Sequence, residues 1–176
     1  MKTPTRLIAV LILGLCLFGC ATTERISAAG DVHRFLVAIR DDDRQAFDAH
    51  VDRRALEAQM QSILVEKAES ADVPDTLKGV GVLVSGSLAK AAGKALLRPD
   101  VFRAVADYYG YRPDIRIPGP LAIAAMLRPI DGGRMCAARG QRGPCLLTFA
   151  NEGGTWRLVE FNGDAAMLRL GKRGAP

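Results

Sequence analysis

The chain has 176 residues, 49% of them hydrophobic, with 24 basic and 19 acidic residues and a net charge of +5. That length supports one domain with a real core and leaves too little for two. The positive excess is mild and its Lys and Arg are not clustered with aromatics, so there is no case for nucleic-acid binding.

Lys2 and Arg6 introduce an apolar run from Leu7 to Phe18, and small residues then flank Cys20. A basic start, a short apolar stretch and a small-residue cleavage site make a signal peptide, because a membrane span needs ~20 apolar residues. Leu17, Phe18, Gly19 and Cys20 resemble the lipobox of bacterial lipoproteins. The resemblance implies a signal peptide over residues 1–19 and a mature N-terminus at Cys20 that carries acyl chains. Each buried methylene of those chains adds about 0.8 kcal/mol of membrane affinity. The expected partner is therefore a membrane, reached through the lipid anchor. Ala21 in place of Asp after the cysteine follows the enterobacterial sorting pattern toward the outer membrane, facing the periplasm. Cleavage elsewhere would give a soluble secreted protein, and no cleavage a signal anchor over residues 7–18; both leave the position of Cys20 unexplained. Without residues 1–19 the chain has 157 residues and a charge of +3.

Of the four cysteines, Cys16 falls in the leader and Cys20 would be lipidated, which leaves Cys136 and Cys145. A pair nine residues apart in an exported chain points to a disulfide. Zinc would need further ligands, and the two histidines, His33 and His50, lie in another region, so no metal and no cofactor is expected.

Residues 20–30 are small and polar and end at Gly30, which predicts a lipidated N-terminus with a short tether, followed by a single domain over 31–170 and a frayed tail over 171–176. Asp31 is placed to cap a helix in which Val32, Phe35, Leu36 and Ile39 recur at helical spacing up to Arg40. The triplet Asp41, Asp42, Asp43 has neither the spacing nor the central glycine of a calcium loop, and predicts a turn and a cap for a short helix through Ala46 and Phe47, its stripe continuing to Val51. Asp52 caps a longer helix with Leu56, Met60, Ile63 and Leu64 on one face, interrupted by Pro74.

Phe35 to Asp52, FLVAIRDDDRQAFDAHVD, resembles the opening of a bacterial family of exported proteins known only as a domain of unknown function. The shared pattern is a helix, an acidic turn, a short helix and a Val-Asp pair before a long helix, with Trp-containing strands later. More loosely, the same start resembles the nuclear-transport-factor-like cone folds, which place helices over a curved antiparallel sheet. These motifs are architectural, and they imply a fold and no activity.

Residues 77–97 set Gly79, Gly81, Gly86 and Gly93 among apolar residues, with Lys78, Lys90 and Lys94 as the only charges. A P-loop fails because no lysine precedes Ser87. Ser87 and Lys90 have the S-x-x-K spacing of penicillin-recognising enzymes, but no downstream S-D-N or K-T-G follows. Two readings stay open: a membrane-contacting helix in which Lys90 and Lys94 meet anionic headgroups, and a helix whose small residues allow close internal packing. Packing is the expected outcome.

Pro99 starts another helix with Val101, Phe102 and Val105 on its inner face and Gly110 at its end. Tyr108, Tyr109, Tyr111 and Arg112 follow as a candidate partner or ligand surface, with the rim of the core as the competing reading. Ile115 to Pro120 is extended, and Leu121 to Leu127 reads as a helix opened by Pro120.

The last third predicts strands over 134–138, 145–152 and 155–161, then a short helix from Asp164 to Leu170. A Gly153-Gly154 hairpin sets Phe149 opposite Leu158 and Asn151 opposite Trp156, so that Cys145, Leu147, Phe149, Trp156 and Leu158 face the helices. Setting Cys136 opposite Cys145 puts Gly140 and Gln141 at a type II′ tip, although Arg139 would then face Arg142. The expected fold is α+β, an N-terminal helical layer packed on a small C-terminal antiparallel sheet of about three strands. The expected function is a non-catalytic envelope module that binds a protein, a lipid or another envelope component. A hydrolytic or lipid-processing enzyme is the alternative.

Overall fold

Val32, Phe35 and Ile39 share a stripe with Ala28 and Ala29, and no proline interrupts the chain between Pro4 and Asp41; the result is one continuous helix, α1, over Pro4–Asp41. The computed structural model describes residues 4–70, 86–88, 90, 91, 93–108, 116–138 and 143–162, leaving out the side chains of 4–21, 67–69 and 108. The remaining helices are α2 (Arg44–Ala49), α3 (Arg53–Glu69), α4 (Pro99–Tyr108) and α5 (Pro120–Met126). They pack on strands β1 (Leu127–Ile130), β2 (Arg134–Ala138), β3 (Cys145–Glu152) and β4 (Thr155–Phe161), which form an antiparallel meander in the order β1-β2-β3-β4. The fold is α+β, with helices in the N-terminal part and the sheet at the C-terminal end. Among the described residues no helix is long and apolar enough to cross a membrane.

Two boundaries near the start differ from expectation. Residues 21–30 are helical rather than a loose tether, and Asp31 sits inside α1 with 4% of its surface exposed rather than at a helix start. The physical reason is burial: Ala28 and Ala29 are fully covered, so packing of the helix face outweighs the ~1 kcal/mol that Gly30 costs a helix interior.

The acidic triplet is architectural, as its spacing implied. Asp42 takes a left-handed conformation, φ +56°, and the Asp43 amide donates to the Ala38 carbonyl at 2.9 Å, the six-to-one bond of a Schellman closure. Asp43 then caps α2 by accepting from the Ala46 amide. Asp52 does the same for α3, accepting from Arg54 and Ala55. Between the two helices Val51 leaves the helical path. It bridges Leu158 in parallel, with the Leu158 amide donating to His50 and the Asp52 amide donating to Leu158, both at 2.9 Å. This short segment supplies backbone partners at the outer edge of β4.

The sheet has four strands where about three were expected. β1 was missed because it is four residues long and contains Pro129, which a ladder tolerates only at an edge. It closes on β2 through Asp131-Gly132-Gly133, whose glycines have φ of +74° and +65°. The β3–β4 register agrees with expectation, Phe149 opposite Leu158 and Asn151 opposite Trp156, across Gly153-Gly154 with φ of +59° and +90°. Those two positive values are what a two-residue type I′ hairpin demands.

The disulfide between Cys136 and Cys145 is present on the adjacent strands β2 and β3, with Cα atoms 5.4 Å apart. Its register is not the expected one. Cys136 pairs with Thr148 and Cys145 with Ala138, so the bridge runs diagonally across a bulge at Leu146. The bulge relieves the conflict that direct opposition would have created beside Pro144. The expected tip at Gly140 and Gln141 lies outside the described residues. Arg128 reaches over the bridge, its Nη2 donating to the Gly143 carbonyl at 3.1 Å and lying 3.6 and 3.7 Å from the two sulfurs.

A second bulge lies at Val159 of β4, and Thr148 and Phe149, consecutive on β3 and so on opposite faces, are both buried. The inner face of the sheet is therefore Phe149, Trp156 and Leu158, with Leu147 at its margin and Cys145 outside the core cluster. Against it pack Phe35 and Phe47, stacked at 5.5 Å, with Phe102 and Phe149 edge-on to Phe35 at 5.9 and 6.0 Å. Such ring pairs add about 0.5–1.5 kcal/mol each beyond the area they bury. α3 departs from its expected face: Leu56 is buried and Met60 packs on the core, whereas Ile63 is 41% exposed because the helix runs past the sheet. The expected helix at Asp164–Leu170 and the tail after it lie outside the described residues.

Candidate binding groove and buried polar node

α1 and β4 are locked together by one carboxylate. Asp31 Oδ2 accepts the Trp156 backbone amide at 3.0 Å, while Oδ1 pairs with Arg34 and lies 3.3 Å from His50 Nε2. His50 Nδ1 is 2.8 Å from the Ala46 carbonyl and must carry hydrogen to make that bond. The ring is 7% exposed and its Nε2 faces Asp31 rather than solvent. No local pattern signals this node, since Asp31 and His50 belong to different helical segments and Trp156 to the last strand. It is a structural pin.

A concave, partly enclosed apolar feature lies between α3, α4 and the end of β4. It is a groove of about 160 Å³ with Leu56, Met60, Leu97, Phe102, Val105 and Phe161 among its walls. Val101, Phe102 and Val105 were expected to be buried, and they are half-buried because they form one side of this groove. Its polar member is Gln59, and that amide is fully occupied: Oε1 accepts from the Phe161 amide at 3.0 Å, and Nε2 donates to the Phe161 carbonyl at 3.1 Å and to Asn162 Oδ1 at 3.2 Å. A satisfied amide leaves the groove nothing polar to offer an occupant. A larger depression on α3, about 410 Å³ beside Gln61 and Ser62, is nearly flat and encloses little.

The end of the glycine-rich stretch, Leu96 and Leu97, lines the groove. Residues 86–88, 90, 91 and 93–96 are helical, and a Cβ on Gly93 would meet Glu57 Cγ at 2.7 Å, while one on Gly86 would meet Gln61 at 3.5 Å. Glycine at 93 is thus required for close approach to α3. Arg53 ties the far end of the stretch by donating to the Leu97 carbonyl at 2.9 Å. Leu88 and Leu96 are 53% and 40% exposed, and Lys90 and Lys94 are exposed as well. Ser87 and Lys90 also lie on the surface, so their S-x-x-K spacing encloses no site.

Near the Gly-Gly turn, Glu152 at the end of β3 faces Asp52 and Arg157. Its carboxyl is held above the usual glutamate range, first by partial burial and then by the Asp52 carboxylate, against the opposing pull of Arg157. Neither carboxylate borders the groove. A carboxyl whose folded pKa is raised holds its proton more tightly when folded, so its contribution declines as pH rises from the ordinary glutamate range through the raised value. Glu152→Gln should therefore raise the thermal midpoint at pH 7 and leave it unchanged at pH 3. The gain should stay below about 1 kcal/mol, because the side chain is 36% exposed. An equal gain at both pH values would show that charge is not the cause.

Cys20 lies within α1, its side chain outside the described residues, and Tyr108 ends α4. Tyr109, Tyr111 and Arg112 also lie outside them, so the tyrosine surface has no structural account here. Among the described residues no group of three or more His, Cys, Asp or Glu could hold a metal ion.

What these elements define is an α+β domain with a buried polar pin and an apolar groove on its helical side. Residues 16–105, 90 of the 176, match the model of a family described as Protein of unknown function (DUF2939), and the chain belongs to that family. The match runs from within α1 through most of α4, so it includes Asp31, His50 and both helical walls of the groove, and it stops before the sheet. No curated protein and no solved structure matches the chain.

Proposed function

We propose that the protein is an envelope lipoprotein, anchored by acyl chains on Cys20 in the outer membrane and facing the periplasm, whose folded domain is a non-catalytic binding module. The observation that carries the binding reading is the apolar groove, whose single polar side chain is already satisfied. Such a surface suits an apolar group of a partner and offers no reactive one. The leader residues Lys2 and Arg6, the apolar run and the Leu17-Phe18-Gly19-Cys20 box support the anchor. The continuous helix between Cys20 and Ala28, about 12 Å at 1.5 Å per residue, would then act as a stiff spacer between the lipid and the core. Helices against an antiparallel sheet are also compatible with the looser likeness to nuclear-transport-factor-like folds.

The hydrolase alternative would draw on His50, but that imidazole is buried and turned toward Asp31 and Ala46, away from the groove. Replacing Cys20 by Ser tests the anchor: acyl labelling should vanish and the precursor should stay uncleaved. Normal processing and membrane fractionation of Cys20→Ser would refute lipidation. Crosslinking in intact cells followed by mass spectrometry tests the binding module; a domain that captures no envelope protein or lipid at any surface position would refute it.

A further inference from the structure

α5 is apolar all the way round. Ile123 and Ala124 are buried on its inner side, while Leu121, Ala122, Ala125 and Met126 are exposed. Residues three and four apart are neighbours on a helix, so these four form one surface, with Leu121 76% and Met126 58% exposed. Pro118, Gly119 and Pro120 extend it at the helix start. From residue 116 to residue 130 the only charged side chains are Arg116 and Arg128, and none is acidic. A helix without a polar side is normally covered all round.

The place of this surface in the fold says what covers it. His33 Nδ1 lies 2.9 Å from the Pro118 carbonyl, which ties the start of α5 to one face of α1. Ile26 stands seven residues before His33 on the same helix and shares that face, and it is 46% exposed. Gly30, between them, has open space where a side chain would stand. Glu24, the one acidic residue between Cys20 and Asp31, falls on the far side of the helix from Ile26. From Cys20 to Ile26 the helix rises about 9 Å at 1.5 Å per residue. The exposed apolar line thus begins near the proposed lipid and continues past the Pro118 loop onto α5. A protein partner would bring hydrogen-bonding groups, about one bond per 100–200 Å² of interface, and α5 has no polar side chain to answer them. A bilayer needs none.

We infer that α5 and the α1 face at Ile26 rest on the bilayer that holds the acyl chains of Cys20. Leu121 and Met126 enter the boundary between headgroups and acyl chains, and the exposed Arg116 meets the phosphates. The inference rests on the lipoprotein reading and adds a second contact that fixes how the domain faces the membrane. α1 then runs along the bilayer surface, and the stiff stretch from Cys20 to Ala28 offsets the core sideways from the lipid.

A photoreactive benzophenone side chain in place of Leu121, Met126 or Leu88, in the full chain in intact cells, tests this. All three positions are exposed, and Leu88 is the reference because its helical segment meets α3 at Gly86 and Gln61. Irradiation should give phospholipid adducts, read by mass spectrometry, at least tenfold more often at 121 and 126 than at 88. Lipid adducts from a probe in place of Ile26 should fall at least fivefold in the Leu121→Asp, Met126→Asp chain, because the two elements form one face. Every probe replaces an exposed side chain, and a matching circular dichroism spectrum checks each variant. Three outcomes overturn the inference: adducts to another protein or to a second copy in place of lipid, equal lipid yields at 121, 126 and 88, or a yield at 26 that Leu121→Asp, Met126→Asp leaves unmoved. Fractionation of the same cells separates this contact from the anchor. A chain in the membrane fraction without lipid adducts at 121 and 126 would keep the anchor and lose the contact. Lipid adducts there on a chain without acyl label would keep the contact and refute the anchor.

Discussion

Asp31→Ala should cost about 2–3 kcal/mol of folding stability, the range for losing a hydrogen bond to a charged group and leaving its buried partner unsatisfied. The loss has two sources on opposite sides of one side chain. The Trp156 amide, buried against α1, is left without an acceptor, and His50 Nε2 loses the carboxylate it faces. Asp31→Asn keeps an oxygen for the Trp156 amide and should cost roughly half as much. Arg34→Ala should cost under about 1 kcal/mol, because Arg34 is 63% exposed and its pair with Asp31 is screened. Urea unfolding of the three variants gives this order directly. An Arg34→Ala loss equal to that of Asp31→Ala would mean that the surface pair, and not the buried node, holds α1 to β4.

Reducing the Cys136–Cys145 bridge, or replacing both cysteines by alanine, should cost roughly 2–3 kcal/mol, the chain-entropy value for a loop closed over nine residues. The bridge joins β2 to β3 where the ladder is broken by the Leu146 bulge, so it stands in for pairing that the bulge disrupts. Arg128 should lose order with it, since its guanidinium packs over both sulfurs while donating to Gly143. Comparison of denaturant midpoints with and without reductant measures the effect. A shift below the equivalent of about 0.5 kcal/mol would show that the sheet holds its register without the bridge.

The two effects act on different halves of the molecule. The family match over residues 16–105 includes Asp31 and His50 and excludes Cys136, Cys145 and the sheet. The polar pin is thus half inside the matched region and half outside it, as its donor, the Trp156 amide, comes from β4. The groove has the same division, with α3 and α4 inside the match and Phe161 beyond it.

Local chemistry alone determined a good part of this protein. Asp43 and Asp52 cap their helices because each side chain reaches amides two or three residues ahead, a relation confined to a few consecutive residues. Gly153-Gly154 sets the β3–β4 register for the same reason: two positive φ values in sequence admit only a tight hairpin, which fixes Phe149 against Leu158. The cysteine pair was legible because two thiols nine residues apart, with no further metal ligands nearby in the sequence, have few other uses. Tertiary packing decided the rest. It carried α1 through Gly30 and put Asp31 in the interior, because burial of Ala28 and Ala29 outweighs a local breaker. It moved the disulfide off direct opposition by inserting a bulge, and it recruited a short, proline-containing β1 at the edge of the sheet. The groove was beyond reach of the sequence for the same physical reason. Its walls are buried and half-buried residues from three separated segments, and no local pattern states how closely they approach until Gly93 lets its helix meet Glu57.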